Sequence, residues 1–470
     1  MSAATPWWKR HARLLGIVVF FLGLWFLPVP EGLTREAWHL FAVFAAAIAA
    51  VVVNALPLLT AALLAAAIVV LTYTLTPAKA FAAFANPTVL LVVVAFLVAQ
   101  AVVKCGLGRR ISLQVVSIFG GSTLGLAYSI FITDTLIAPG FPSNTARGGV
   151  LFPVILGLAQ GGGSMPEEES TRRLGGYLMF CGMASLAITS ALWLTATSGN
   201  PVAVSIAAEY GLKITFGSWL LVSSIPALLT IALLPLLLYR LFPPGVTDTP
   251  EAPEAARRQL HTMGPMSRHE WITAATFVSM IVAWILAAPF NINPTAIAIA
   301  GFAVALVTGV LTLNDIHEQG GTLVTFIWLA VLFGLSAQLN ELGFMSYVGE
   351  RLASAFSEVS WPVAYVSLLG IYILFHYLFV SQGAHILALL GVFLDVGVKT
   401  GVPTQLMAFA LMFASSYFST ITPQGGSQNI IFVAAGYLTQ GELYRLGLLT
   451  TLFAALIFLV VGTPWILWIG

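Results

Sequence analysis

The stretch GFPSNTARGGV, residues 140–150, places a proline, three polar residues and Arg147 inside an otherwise strongly apolar chain. Hydrophobic residues make up 59% of the 470 residues and charged residues only 8%, whereas average proteins carry about 25% charged residues. A soluble protein of this size needs more charged residues at its surface. The sequence therefore predicts an all-α polytopic membrane protein. A polar, proline-broken stretch is costly in lipid, and this one is predicted to line a substrate site.

Long apolar runs predict about eleven membrane-spanning helices, because backbone groups in lipid must bond within their own segment. The predicted spans are 14–30, 36–55, 58–75, 88–104, 175–209, 217–241, 271–288, 293–312, 322–340, 402–437 and 446–468. Two other apolar stretches, 121–160 and 361–400, are interrupted at the middle by polar residues. Each predicts a re-entrant hairpin, although two full crossings would give the same distribution of charge.

The distribution of lysine and arginine predicts the orientation in the membrane. With a cytoplasmic N-terminus, thirteen of these residues fall inside and five outside, as the positive-inside rule expects. The first apolar run follows Lys9, Arg10 and Arg13 and is not followed by a small-residue cleavage site, so it is expected to be an uncleaved span. The expected location is the inner cell membrane.

Composition also predicts a division of the chain. Residues 243–270 are rich in proline and charge and predict a solvated cytoplasmic linker. Scaffold helices are expected over 1–80 and 271–312, a first repeat over 81–242 and a second over 313–470.

The two predicted repeats match weakly but in order. Gly106 recurs as Gly343, and Ser-Asn-Thr-Ala-Arg at 143–147 recurs as Ser-Gln-Gly-Ala-His at 381–385. Repeats that start on opposite sides of the membrane form an inverted pair, which places substrate near the midplane between discontinuous helices.

Two predicted spans contain breaks of their own, TATSGNP at 195–201 and STITPQGGSQN at 419–429. With the hairpin tips at 142–147 and 381–385, they give four broken-helix segments in two matched pairs. Freed amides at a helix start attract anions, and freed carbonyls at a helix end attract cations. Small and polar residues also serve to pack helices together, but four matched motifs favour a binding site.

Arg147 is open to three interpretations. It is a fixed cation beside a di- or tricarboxylate, a substitute for part of a coupling cation's charge, or an arginine that snorkels to water. His385 holds the matching place in the second copy, and His376 lies upstream. Either histidine bonds substrate, relays a proton or packs neutrally between helices. Asp134, in the first hairpin arm, either neutralises a cation or bonds a neighbouring helix.

Other classes of function find little support in the sequence. A net charge of +1 gives no basis for nucleic-acid binding, and Cys105 and Cys181 form no metal or disulfide motif. A channel would need rings of charge or a filter-like run. GxSxG, HExxH and Walker A motifs are absent, so no catalytic residue, ATP-driven pumping or organic cofactor is expected.

Four motifs together, PSNTARGG (142–149), TATSGNP (195–201), HYLFVSQGAH (376–385) and TPQGGSQNIIF (422–432), resemble the divalent anion:sodium symporters. This dicarboxylate transporter superfamily consists of inverted-repeat elevators, and the resemblance in element order covers nearly the whole chain. The family's Ser-Asn-Thr is intact at the first tip, but the second tip has Ser381, Gln382 and Gly383. The sequence is more similar to the citrate/succinate, tartrate/succinate and 2-oxoglutarate/malate branch, whose members resemble sodium-independent exchangers.

The resemblance implies a secondary active, homodimeric carrier of C4–C6 carboxylates in which the hairpins, broken spans and last helix move against a scaffold. Exchange is expected, with sodium-coupled symport as the alternative and sulfate transport or a channel as weaker ones. A sodium ion near Ser143, Asn144 and Gly199 is left open. The residues implied in substrate binding are Ser143, Asn144, Thr145, Arg147, Thr197, Ser198, Gly199, Asn200, Ser381, Gln382, His385, Thr422, Pro423, Gln424 and Gly425.

Overall fold

The computed structural model describes residues 7–166, 169–356, 358–379 and 381–469, with side chains from His11 onward. Over these ranges the regular structure is helical, apart from one isolated β-bridge between Ser122 and Asp248. The predicted all-α class is confirmed. The side chains of Lys9 and Arg10, which entered the charge count, lie outside the described residues.

The α-helices follow one another in chain order. The first twelve are α1 (Trp7–Phe26), α2 (Arg35–Val52), α3 (Leu58–Leu71), α4 (Pro77–Phe81), α5 (Pro87–Cys105), α6 (Leu107–Phe119), α7 (Thr123–Ile137), α8 (Asn144–Gly161), α9 (Gly175–Leu192), α10 (Gly199–Ala208), α11 (Phe216–Leu241) and α12 (Glu251–Met263). The next twelve are α13 (Arg268–Leu286), α14 (Pro294–Val307), α15 (Leu313–His317), α16 (Gly320–Glu341), α17 (Phe344–Ser354), α18 (Trp361–Phe375), α19 (Gln382–His385), α20 (Gly391–Lys399), α21 (Thr404–Tyr417), α22 (Asn429–Val433), α23 (Gln440–Ile457) and α24 (Thr463–Ile469).

Nine helices in the described part of the chain are long and apolar enough to cross a membrane. They are Arg35–Val52, Pro87–Cys105, Gly175–Leu192, Phe216–Leu241, Arg268–Leu286, Gly320–Glu341, Trp361–Leu378, Gln382–Lys399 and Gln440–Ile469. Three other predicted spans, 14–30, 58–75 and 293–312, coincide with shorter apolar helices, whereas 402–437 coincides with none of the long or shorter apolar helices in the described residues. The polytopic membrane class is therefore confirmed.

The predicted interruptions occur where the sequence placed them. The first hairpin consists of α7 and α8, separated by a 3-10 turn at Ala138–Gly140 and the tip. The second consists of α18 and Gln382–Lys399, separated by a 3-10 turn at His376–Leu378. The spans 175–209 and 402–437 are each broken into two helices. Re-entrance of the hairpins and the inverted orientation of the repeats stay predictions.

The segment 243–270 contains the helix α12, most of which is exposed or half-buried, and its role as a cytoplasmic linker stays a prediction. Its helix α12 packs against α6, because an apolar stripe that includes the buried Ala256 runs along an otherwise polar helix. Residues before α12 bond to the start of the first hairpin and to the turn that precedes α9. The N–H of Thr249 donates to the carbonyl of Gly121 (3.1 Å), and that of Val246 donates to the carbonyl of Arg173 (3.0 Å).

The chain divides into two compact units by its internal contacts. Unit 1 comprises Met1–Val93, Val202–Leu212 and Gln319–Leu411. Unit 2 comprises Val94–Pro201, Lys213–Glu318 and Met412–Gly470. The second hairpin belongs to unit 1, and the first hairpin belongs to unit 2. These two units do not coincide with the predicted scaffold and moving domain, which stay a prediction.

Each unit has its own packed core. In unit 1, α2 packs against α1, α3 and α16, and Phe41 stacks on Phe344 with ring centroids 4.3 Å apart. In unit 2, every residue of α9 is buried, and α7, α8 and α11 pack around it. The helix α9 is therefore the core element against which the first hairpin rests.

One backbone feature recurs in both units. Gly106 immediately precedes α6 with φ 81°, and Gly343 immediately precedes α17 with φ 80°. Residues with a Cβ atom rarely adopt this left-handed conformation, so glycine is favoured at both junctions. The predicted match between the two glycines thus extends to their conformation.

We expect Gly447→Ala to lower the melting temperature of the purified protein by several degrees. A Cβ atom at Gly447 in α23 would lie 2.0 Å from the carbonyl oxygen of Thr420, and such overpacking costs about 1–3 kcal/mol. Gly441→Ala in the same helix is the matched control, since no atom lies within 4 Å of its Cβ position. Equal melting temperatures for the two variants in a thermal-shift assay would contradict the close approach.

Candidate functional site

The first hairpin tip ends in the start of a helix. Ser143 is extended (φ −143°, ψ 117°), and its hydroxyl accepts a hydrogen bond from the N–H of Ala146 at 3.2 Å, which caps α8. The first N–H groups of a helix have no partner within it and favour an anion. Thr145 is exposed beside them. The tip can therefore donate hydrogen bonds to a carboxylate.

The second tip, in unit 1, is built in the same way despite its changed sequence. Ser381 is extended (φ −147°, ψ 126°), and its hydroxyl accepts from the N–H of Ala384 at 3.4 Å. Gln382 and Gly383 are partly exposed. Val380 of the quoted motif lies outside the described residues. The Ser cap is thus retained where Asn-Thr is replaced by Gln-Gly.

Arg147 is completely buried within unit 2 and forms an ion pair. Its side chain and that of Asp134 are both 0% exposed, and Arg147 Nη1 lies 2.9 Å from Asp134 Oδ1. Nη1 also donates to Thr189 Oγ1 at 2.6 Å, and Thr189 donates in turn to Asp134 Oδ2 at 2.5 Å. The interpretation of Arg147 as a snorkelling residue is therefore wrong. Both interpretations of Asp134 hold in the structure, because it neutralises Arg147 and also bonds Thr189 of the neighbouring helix α9.

The other terminal nitrogen of Arg147 is surrounded by oxygen atoms. Nη2 lies 2.5 Å from Asn144 Oδ1, 2.5 Å from Ser190 Oγ, 3.2 Å from the carbonyl of Leu186 and 3.4 Å from that of Ala196. A guanidinium only donates, so Asn144 must present its oxygen to it. Because Ala196 lies in the first break, Arg147 joins the tip to that break.

The first break is bridged by Asn200. Its Nδ2 donates to the carbonyls of Ser190 (2.8 Å) and Trp193 (3.1 Å), which lie ten and seven residues earlier. Thr195 Oγ1 donates to the carbonyl of Pro139 at 2.7 Å and so ties the break to the first hairpin. The amide nitrogen of Asn200, predicted to bind substrate, therefore stabilises the unwound backbone.

The second break is bridged by Asn429 with the same spacing. Its Nδ2 donates to the carbonyls of Ser419 (2.7 Å) and Thr422 (2.8 Å), again ten and seven residues earlier. Gly425 is required here, because a Cβ atom would lie 2.8 Å from the carbonyl oxygen of Ser419. Each break thus depends on its own asparagine, whose side chain bonds two carbonyls that are freed from the helix.

The first tip meets the second break within unit 2. Thr145 Oγ1 donates to Ser427 Oγ at 2.8 Å, and Gly148 faces Gln428 and Ile431. Unit 2 therefore brings together the first tip and both breaks. Of the remaining predicted residues, Thr197, Ser198 and Pro423 are partly exposed, Gln424 is exposed, and Gly199 and Thr422 are buried.

Three oxygen atoms of the second break are buried and lack a hydrogen-bond partner among the described residues. They are Thr422 Oγ1, Gln428 Oε1 and Asn429 Oδ1. A buried polar atom without a partner costs about 1–3 kcal/mol. The second break therefore offers acceptors for a cation or for the donors of a ligand.

His376 and His385 are buried together in unit 1. Their Nδ1 atoms lie 3.4 Å apart, so a hydrogen bond between them requires a proton on one of the two. The rings of Tyr372 and Phe379 pack against His385, with centroids 4.4 Å and 4.9 Å away. The contact does not decide between substrate binding, proton relay and packing, which stay predictions.

Several residues of the site were not singled out from the sequence, among them Thr189, Ser190 and Ser427. Thr189 and Ser190 lie in an otherwise apolar helix, and two adjacent hydroxyls there were the available signal. Ser427 lay inside a quoted motif, but its partner at the first tip is 282 residues away. Such pairings depend on the tertiary fold.

A known family and several known proteins match this chain over nearly its whole length. The family model described as the sodium:sulfate symporter transmembrane region matches residues 8–470. A putative malate transporter of Bacillus subtilis, YflS, is 38% identical over 96% of this chain and 95% of that protein. The chloroplastic dicarboxylate transporter 2 of Spinacia oleracea is 37% identical over 97% and 82%, and dicarboxylate transporter 1 of Arabidopsis thaliana is 36% identical over 100% and 85%.

Two solved structures share the fold at low identity. The YdaH transporter of Alcanivorax borkumensis superposes with a TM-score of 0.55 at 16% identity, over 85% of this chain and 89% of that chain. MtrF of Neisseria gonorrhoeae superposes with a TM-score of 0.57 at 15% identity, over 96% and 97%. At these identities the likeness concerns the fold alone.

The Arg147–Asp134 pair yields a prediction for stability. Arg147→Met or Asp134→Leu alone leaves one buried charge unpaired, which costs about 3–5 kcal/mol, so each single variant is expected to melt well below the parent. The double variant removes both charges and is expected to recover most of the loss, although not transport. Additive losses in thermal-shift measurements would show that the two side chains do not form a pair.

Proposed function

Because the chain belongs to the sodium:sulfate symporter family of membrane transporters, we propose that it exchanges di- and tricarboxylates across the membrane. The family and the relatives are transporters rather than enzymes. The resemblance drawn from the four motifs is thereby confirmed. The malate and dicarboxylate named for the relatives support C4–C6 acids as substrates, such as succinate, malate, 2-oxoglutarate, citrate or tartrate.

In this proposal a substrate carboxylate binds at the N-terminus of α8. Ser143, Asn144 and Thr145 surround the free N–H groups there, and the partly exposed Thr197 and Ser198 supply further hydroxyls from the first break. Hydrogen-bond donors at a helix start bind an anion without needing a lysine or arginine in contact with it. Thr422 to Gly425 in the second break are proposed to complete this clamp, and substrate binding by Ser381, Gln382 and His385 in unit 1 stays a separate prediction.

The proposal that exchange does not require sodium is based on the position of Arg147 Nη2. Four oxygens converge on this nitrogen, from Asn144, Ser190, Leu186 and Ala196. Such a set of carbonyl, amide and hydroxyl oxygens would suit a hard cation, but the guanidinium already fills it. The side-chain oxygen of Asn144 is therefore already occupied, which argues against the predicted sodium ion near Ser143, Asn144 and Gly199. Arg147 acts as a positioning residue in this account, because its hydrogen bonds fix the orientation of Asn144.

Sodium-coupled symport is the second candidate, favoured by a different observation. The buried oxygens of Thr422, Gln428 and Asn429 lack partners among the described residues, and oxygen atoms without donors suit a cation. The elevator movement and the homodimer are carried over from the family resemblance alone. Sulfate is the third candidate, because the family model is described by it.

We expect proteoliposomes that contain the purified protein to take up labelled malate or succinate only when they hold an internal dicarboxylate. Replacing external sodium with choline should leave the rate unchanged, because the guanidinium of Arg147 already occupies the oxygen cluster at the first tip. A counterflow panel of C4, C5 and C6 acids together with sulfate would rank the substrates. Uptake that follows a sodium gradient and ignores internal dicarboxylate would reject exchange and establish symport.

The oxygen cluster around Arg147 gives a second test. Arg147→Ala keeps Asp134 and the four oxygens, so sodium chloride is expected to raise the melting temperature of this variant above its value in choline chloride. The parent protein should show no such difference. Arg110→Ala is the matched control, because Arg110 is a second buried arginine, paired with Glu270 at 2.5 Å. A sodium effect of equal size in both variants would argue against a cation-shaped cluster at the tip.

A further inference from the structure

A crevice of about 300 Å³ lies in unit 2 between α5, α6, α8 and α12. Its walls are glycine, alanine, proline and aliphatic residues, together with Arg109 and Gln259. Val103 and Pro153, which line it, are exposed, so the crevice is open to the surroundings of the protein. It is separate from the residues of the proposed substrate site.

Arg109 bonds a neutral side chain, whereas the neighbouring basic residues bond acidic ones. Lys104 pairs with Asp315 at 2.6 Å, and Arg110 pairs with Glu270 at 2.5 Å. The exposed Arg109 bonds the neutral amide oxygen of Gln259 at 3.1 Å and forms no ion pair with the described residues. No acidic side chain lines the crevice within the described ranges. An apolar crevice therefore carries one uncompensated cation.

We propose that this crevice binds an amphipathic anion, with an alkyl chain along Val103, Pro153 and Val154 and an acidic head on Arg109. The volume has room for about ten water-sized groups, at about 30 Å³ each, which suits a single alkyl chain. Basic residues at the end of a membrane span attract anionic head groups. Free fatty acids and anionic phospholipids share this chemistry.

The crevice is placed to act on the first hairpin. Gly149, Pro153 and Gly157 on its wall belong to α8, the helix whose N-terminus forms the first tip. Pro153 has no N–H, so the helix lacks one internal hydrogen bond there. An alkyl chain packed along this segment stiffens α8. Binding of an amphiphile in the crevice thereby affects the first tip.

Native mass spectrometry of the purified full chain tests the proposal, with decanoate and decanol as the first pair of probes. We expect one saturable decanoate adduct that binds about fivefold more tightly than decanol, as one arginine near a charged surface implies. Phosphatidylglycerol and phosphatidylcholine with identical chains form the second pair. The tighter of the two anions identifies the source, and equal binding of charged and neutral members in both pairs overturns the proposal.

Three variants locate the site. Arg109→Gln should remove the preference for the anion, whereas Arg258→Gln, which removes an exposed arginine of α12 outside the crevice, should keep it. Gly157→Leu should abolish binding by filling the crevice, and its Cβ position has no atom within 4 Å, so the fold is expected to tolerate it. Melting temperatures near the parent's confirm folding. Retained preference in Arg109→Gln, or retained adducts in Gly157→Leu, overturns the assignment.

Discussion

A full positive charge enclosed in unit 2 dictates the structure of the first tip. An ion taken out of water costs several kcal/mol unless it is paired and its donors are satisfied. The two terminal nitrogens of Arg147 meet this condition through Asp134 on α7, Thr189 and Ser190 on α9, and Asn144 at the tip. Its buried Nε has no hydrogen-bond partner among the described residues. Three separate parts of the chain must therefore lie within about 3 Å of one side chain. The orientation of Asn144 follows from this requirement.

The broken spans are stable because the carbonyls that are freed from the helices accept hydrogen bonds from side chains. A carbonyl without a partner in the membrane costs as much as a lost hydrogen bond, and two such groups in each break are bonded by one asparagine, Asn200 or Asn429. The residues between the bridged ends can then stay unwound. In unit 2 this device keeps both breaks beside the tip, where peptide groups remain available to a ligand.

Local patterns explain what could be predicted from the sequence. Apolar runs, prolines and glycines act within a few residues, so the spans, the hairpin interruptions and the breaks at 193–198 and 418–428 were predictable. The hydroxyl partners of Arg147 on α9 were not, because Thr189 lies 42 residues away and its approach depends on how α9 packs. The helix α12 was missed for a related reason. Its charge and prolines indicate a solvated segment, and only α6 gives its apolar stripe a partner.

The charge balance at the tip bears on the mode of transport. Asp134 offsets Arg147, so the pair adds no net charge, and a bound dianion would carry both of its charges across the membrane. Moving one charge against a potential of 100 mV costs about 2.3 kcal/mol, so a dianion costs about 5 kcal/mol. One-way uptake would need several cations to offset this cost, whereas the return of a second dianion cancels it. A guanidinium fixed in the chain cannot leave with the substrate, and this charge balance supports the proposed exchange.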